Sequence, residues 1–191
     1  MATLNVYYNA GTNGTGWTNP SRAWDGSTAS AADRVILPGD GETYYLRSQT
    51  VDTSDPGGSY SITKVEIGLS YKTVSVFDDY VVVRPIFGGT TNGTTTTFGG
   101  SSTQTTEYAD ITEEAAGPGI GNWTWSNISG LDIKTWGLYS GSIQGSVYVY
   151  EVWIRMTYDT GFSRKLNGVS DYSKINGKNK TSITKLNNVN K

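Results

Sequence analysis

The sequence predicts an all-β protein: an antiparallel β-sandwich, jelly-roll-like, of about eight strands, followed by a basic C-terminal arm. Three observations carry this prediction. The 191 residues include 24 Gly but only 5 Pro, with 13 Tyr, 6 Trp and abundant Thr and Ser. That mixture favours strands joined by tight turns over helices. Apolar residues recur with a period of two, the period at which side chains alternate across a strand. Finally, charge changes sign near residue 160. Residues 161–191 hold seven basic residues and one acid, a net +6, whereas residues 1–160 hold eight basic and sixteen acidic residues, a net −8.

The elements follow in chain order. Leu4-Asn5-Val6-Tyr7-Tyr8 reads as a first strand, ended by the loop that contains Gly11, Gly14 and Gly16. Ala29 to Ala32 has the composition of a helical turn, stopped by Pro38-Gly39-Asp40-Gly41, and Thr43 to Val51 reads as strand. Ile62 to Tyr71 gives the clearest alternation. Val65, Ile67, Leu69 and Tyr71 predict a buried face, and Lys64, Glu66, Gly68 and Ser70 a wet one. Tyr80 to Phe87 is apolar on both sides apart from Arg84 and Pro85, as in a strand covered twice whose far end lies near an edge. Residues 88–106 read as a flat strand or long loop. Leu131 to Leu138 and Ile143 to Tyr158 complete the set, the second predicted to be central with Tyr148, Tyr150, Val152, Ile154, Met156 and Tyr158 on one face. A small closed barrel would show the same periodicity, so sandwich and barrel both remain open at this level.

Cys and His are both absent. This removes disulfides, thiolate and imidazole metal sites, cysteine nucleophiles and any histidine base. No apolar run approaches a membrane span, and Met1 leads into Ala2-Thr3-Leu4 without a charged segment and apolar core, so neither membrane insertion nor a cleavable secretion signal is expected.

The arm, residues 161–191, carries a repeat. Lys165-Leu166-Asn167-Gly168-Val169 recurs as Lys174-Ile175-Asn176-Gly177-Lys178 and, degraded, as Lys185-Leu186-Asn187-Asn188-Val189. Asn-Gly tolerates positive φ and favours the tight turns of hairpins, so strand, turn, strand is the implied unit. So small a unit buries its apolar face only against sister copies, the domain or a partner. A disordered polar terminus is the alternative. The arm lacks an arginine cluster or interleaved aromatics, and the rest of the chain is acidic, so nucleic acid is not expected as a partner.

The Lys-aliphatic-Asn-Gly-Val units resemble segments in the C-terminal parts of phage and prophage virion proteins. The closing run Trp153-Ile154-Arg155-Met156-Thr157-Tyr158 is similar to the last strand of sandwich domains in phage structural proteins. Ala23-Trp24-Asp25-Gly26-Ser27-Thr28, preceded by Trp17 and Pro20, is similar to an early loop of discoidin-like, galactose-binding-like sandwiches. These resemblances imply a non-enzymatic subunit of a phage particle, a surface decoration or appendage located in the virion or an extracellular assembly. Its partners would be other virion proteins or further copies of itself, with a host-surface glycan as a possible ligand. The arm residues of the three repeats would then anchor or oligomerise the protein.

Two alternatives stand beside that reading: a carbohydrate-binding or adhesin module, and a subunit of a non-viral extracellular filament. For the first, Trp17, Trp24 and Asp25, or Trp123 and Trp125, are the candidate ligand residues, because aromatic faces pack on sugar C–H surfaces while a carboxylate grips hydroxyls. The competing role for these tryptophans is packing at the open ends of the sandwich. Asp25, Asp33, Asp40, Glu42, Asp52 and Asp55 supply oxygen donors without the spacing of a calcium loop, so no metal or other cofactor is expected. Asp78-Asp79 and Glu113-Glu114 are adjacent acids, which point to opposite faces of a strand and make poor acid/base couples. No catalytic residues are assigned.

Overall fold

The computed structural model describes residues 1–142 and 144–160, together with the backbone pairing of 174–175 with 178–179. In the first 160 residues the strands are β1 (Ala2–Asn13), β2 (Ala32–Ile36), β3 (Tyr45–Val51), β4 (Tyr60–Thr73) and β5 (Asp79–Phe87). They continue with the short β6 (Thr91–Asn92) and β7 (Thr96–Phe98), then β8 (Thr105–Asp110), β9 (Asp132–Tyr139) and β10 (Gly145–Thr160). All pairings are antiparallel.

Two layers result, joined by β1. Its first half, through Tyr7, pairs with β10, and its second half, from Tyr8, pairs with β3. The front layer is β10 flanked on one side by β1 and β2 and on the other by β4 and then β8. The back layer runs β1, β3, β9, β5, with β6 and β7 on the far side of β5. Among the described residues the path does not close, since β8 pairs only with β4 and β6 and β7 only with β5. A curled β-sandwich is therefore realised and the closed barrel is not.

Between the layers lie Val6, Leu46, Val65, Ile67, Leu69, Val81, Val83, Ile133, Val147, Val149, Val152, Ile154 and Met156. Tyr8 is also buried there, and its hydroxyl donates to the Leu131 carbonyl at 2.6 Å, which satisfies an otherwise stranded polar group.

Four expectations are corrected. On β10 the predicted face fails at its start because the register against β4 shifts between Val149 and Glu151 and again between Thr157 and Tyr158. A bulge adds one residue to one strand and so inverts the parity of everything beyond it. Val147 and Val149 thus share the core with Val152, Ile154 and Met156, while Tyr148 lies beside Lys72. On β4 the supposedly wet face is covered, since Glu66 and Ser70 are buried. The helical turn expected at Ala29 to Ala32 is absent: Ala32 begins β2, and a single 3-10 turn lies earlier, at Pro20–Ala23. Lastly, a short helix not expected from the sequence, α1 (Trp125–Ser129), is capped by Thr124 and Asn127, each side chain bonding the other's backbone N–H.

In the C-terminal segment, β11 (Lys174–Ile175) pairs antiparallel with β12 (Lys178–Asn179). The remaining arm residues named above, Lys165, Leu166, Asn167, Gly168, Val169, Asn176, Gly177, Lys185, Leu186 and Asn187, lie outside the described residues.

Candidate functional site

The outer face of the front layer carries the most distinctive side-chain arrangement. Pairing sets Tyr7 opposite Trp153, Trp153 opposite Gly68, and Gly68 opposite Tyr108, one row across β1, β10, β4 and β8. The row exists because Gly68 has no side chain: a Cβ there would collide with the Trp153 indole, which lies flat over the glycine. Tyr7 and Trp153 have ring centroids 6.3 Å apart, and Tyr108 meets Trp153 edge-on at 5.9 Å. Both tyrosines are 38% exposed, whereas Trp153 is buried between them with its indole N–H unpartnered.

Two residues along the strands lies a polar row of Asn5, Arg155, Glu66 and Asp110. Arg155 grips Glu66 with two hydrogen bonds, Nε to Oε2 at 2.8 Å and a terminal nitrogen to Oε1 at 2.9 Å, and its guanidinium stacks 3.4 Å from the Tyr108 ring centre. Lys64 adds a contact to Glu66 at 2.8 Å and to Asp110 at 3.5 Å. Burial by itself would raise the Glu66 pKa, but the hydrogen bonds from Arg155 and Lys64 outweigh it and hold the carboxyl below its usual range. Glu66 is thus a fixed anion that orients Arg155. Asn5 donates to the Tyr7 hydroxyl at 3.3 Å.

On the side of the aromatic row away from the polar row, two residues along β10 from Trp153 and opposite Ser70, Glu151 is buried with no hydrogen-bond partner for either oxygen. Burial, and then the charge of Asp25, push its pKa up to about 8, although the Gly26 and Ser27 backbone pulls the other way. Those two residues belong to the loop after the 3-10 turn, where Asp25 accepts from the Ser27 N–H and the Ser30 hydroxyl. Gln104 ties the loop down by donating to the Thr28 carbonyl and to Ser70.

Beyond the polar row opens a cleft of about 870 Å³ lined by Thr63, Lys64, Thr94, Asp110, Ile111, Thr112, Glu113, Glu114, Ile120 and Thr157.

The tryptophans singled out from the sequence take the packing role. Trp17, Trp24 and Trp123 are buried in the core, and Trp125 packs against it from α1. Trp17 donates to the Tyr44 carbonyl at 3.2 Å and Trp123 to the Thr112 carbonyl at 3.0 Å. Of the two roles weighed for these tryptophans, packing fits the core position of Trp17, Trp24 and Trp123, whereas Trp125 is only partly buried. Asp25 is exposed and serves its own loop. The other acids are separated: Asp40 pairs with Arg34, Glu42 with Arg84 and Lys134, and Asp55 accepts from Tyr60. No group of three acidic side chains suited to a metal occurs among the described residues. Asp79 is buried and receives the Val74 and Ser75 N–H groups, closing the turn into β5. Among the described residues no helix is long and apolar enough to cross a membrane.

The residues missed from the sequence are Tyr7, Tyr108 and Trp153, which lie 45 or more positions apart and meet only through strand register. Gly68 is the one local signal, a glycine inside an otherwise unbroken strand pattern, which marks a close approach.

No protein family and no curated protein matches the chain. Similar solved structures include the CBM36-1 domain of a multidomain xylanase from the hindgut metagenome of Trinervitermes trinervoides, at 12% identity and TM-score 0.39, covering 82% of this chain and 97% of that one. A CBM36 carbohydrate-binding module in complex with calcium and xylotriose is similar at 14% identity and TM-score 0.38, covering 82% and 100%. A family two carbohydrate esterase from Cellvibrio japonicus follows at 9% identity and TM-score 0.33, covering 81% of this chain and 32% of its own. The expectation of a phage decoration or appendage subunit is corrected here: these similar structures are carbohydrate-binding modules and a carbohydrate esterase, and none of the three is a phage structural protein. At such TM-scores the superpositions bear no further weight, and function is argued below from this chain's own residues.

Proposed function

We propose that the domain is a non-catalytic carbohydrate-binding module whose ligand lies across the outer face of the front layer. The observation that supports this reading is the row of Tyr7, Trp153 and Tyr108, with two half-exposed rings flanking a buried indole whose N–H has no partner. Sugars present apolar C–H faces that pack on aromatic rings, and hydroxyls that take hydrogen bonds from planar polar groups fixed in advance. Arg155, held by Glu66, and Asn5 are such groups, two residues from the rings. From β1 to β8 the row covers three inter-strand steps, roughly 14 Å. That length suits an oligosaccharide better than a single sugar.

The test is a glycan array followed by titration of the strongest hits. Tyr7→Ala and Tyr108→Ala should each weaken binding about tenfold or more, the effect of losing one stacking face, with the thermal transition kept. Tyr45→Ala, on the back layer, should leave affinity unchanged. If no glycan binds, or if Tyr45→Ala weakens binding as much as the front-face changes, the reading fails.

A further inference from the structure

The 870 Å³ cleft lies where the described chain ends. Thr157 lines it, and β10 finishes three residues later at Thr160. Its wall carries Asp110, Glu113 and Glu114; of the cations beside them Lys64 is already engaged by Glu66 and Asp110, and the Met1 ammonium pairs with Asp159 at 3.4 Å. Ile111 forms an apolar floor, and Ile120 stands at the lip 61% exposed, a large aliphatic side chain left in water. An acidic wall with an apolar floor suits a segment that alternates cations and aliphatics.

The sequence supplies one immediately. Arg164-Lys165-Leu166-Asn167-Gly168-Val169 begins four residues after Thr160. At ~3.5 Å per extended residue, Lys165 and Leu166 reach roughly 20 Å from the strand end, enough to return into the cleft. Charge points the same way, since residues 161–191 carry a net +6 and residues 1–160 a net −8. We propose that the 164–169 segment of the same chain docks in this cleft, with Leu166 against Ile111 and Ile120 and with Arg164 and Lys165 against Glu113 and Glu114. This does not rest on the glycan reading, because the cleft lies beyond the polar row and shares none of the three aromatic residues.

Zero-length carbodiimide crosslinking of the full-length chain, mapped by mass spectrometry, tests the proposal. The expected result is that the lysine-to-acid link from Lys165 to Glu113 or Glu114 dominates. It should fall at least about tenfold in Leu166→Ser, which keeps both crosslinking groups and removes only the buried aliphatic. It should also fall in about 1 M salt, where screening acts within ~3 Å. A mixture of isotopically heavy and light chains separates the occupants. Links within one chain support the proposal, whereas heavy-to-light links assign the cleft to a second copy and overturn it. Links spread evenly over distant acids such as Asp52 and Asp55, or a Lys165 link indifferent to Leu166→Ser, overturn it as well. Melting each variant confirms that the sandwich is folded in every arm.

Discussion

The two outer faces of the sandwich are built from the same ingredients and use them differently. On the back layer Tyr45, Trp136 and Val82 form one row, and Arg47, Lys134 and Arg84 form the row two residues away. There the cations spend themselves on the rings: Lys134 sits 4.2 Å from the Tyr45 ring centre and Arg84 5.3 Å from that of Trp136, while Glu42 neutralises both cations and Asp132 holds Arg47. On the front layer Arg155 stacks on Tyr108 and Lys72 lies 5.8 Å from the Tyr148 ring centre, while Tyr7 keeps an open ring and the Trp153 N–H an open donor. A closed set of cation–π and ion pairs makes a self-contained surface, whereas unused aromatic area and an unmatched donor make a surface complementary to something else.

That contrast depends on strand parity, and the largest predicted effect tests parity directly. Ile154→Asp sets a charge in the core between the layers, where Ile154 is fully buried, and should destabilise the domain by several kcal/mol, enough to abolish its cooperative thermal transition. Thr157→Asp, on the partly exposed outer side of the same strand, should change stability by less than about 1 kcal/mol. Reversed effects would mean that the inner and outer faces of β10 are exchanged.

Much of this was legible beforehand. The alternation in β4 fixed the core side of Val65, Ile67, Leu69 and Tyr71, because a period-two pattern has one geometric reading. Its outer side was misread as wet, since Glu66 and Ser70 are covered by side chains from β10 and the 104 region, and no local pattern reports what a neighbouring strand lays on top. The bulge at Val149/Glu151 was invisible for a related reason: it is a mismatch between two strands and belongs to neither sequence alone. The site fared worst. Trp17, Trp24 and Trp123 were weighed as ligand residues on their chemistry, but their positions near loops drew them into the core, while the exposed aromatic surface came from tyrosines whose neighbourhood depends wholly on register.

The next effect in size concerns the buried carboxyl two residues along β10 from Trp153. Glu151 titrates near 8 in the folded protein, against roughly 4.3 when unfolded, so the folded state holds its proton over that interval and the unfolded state does not. Stability must therefore fall as pH rises from about 4 to about 8 and level off above, a loss on the order of a few kcal/mol. Glu151→Gln keeps the shape without the charge. It should melt close to wild type near pH 4 and several degrees higher near pH 8.5. A difference independent of pH would mean that Glu151 is charged throughout and held by its loop. Beside the back layer the Glu42 pKa is shifted the other way, downward, so the corresponding Glu42→Gln change should show the opposite trend.

That opposite trend is the smallest effect and the finest comparison between the faces. Hydrogen bonding to Lys134 holds the Glu42 pKa below its usual value, as the bonds from Arg155 and Lys64 do for Glu66 against its burial. A carboxyl with a depressed folded pKa contributes stability that is present above its unfolded value and lost as pH falls through the folded one. Both glutamates should therefore lose their contribution below about pH 4, but not equally. The Glu42 side chain is 37% exposed, so solvent screening should leave its removal worth less than about 1 kcal/mol, whereas Glu66, at 7%, joins a doubly bonded arginine and should be worth roughly 1.5 to 3 kcal/mol. Urea denaturation of Glu42→Gln and Glu66→Gln at neutral pH and at pH 3 measures both. Glu66→Gln should lie further below wild type at neutral pH, and at low pH both variants should converge on it. Should Glu42→Gln prove the costlier change, the back-layer charges would be the more tightly coupled set, and the front face would lose the rigid Arg155 that distinguishes it.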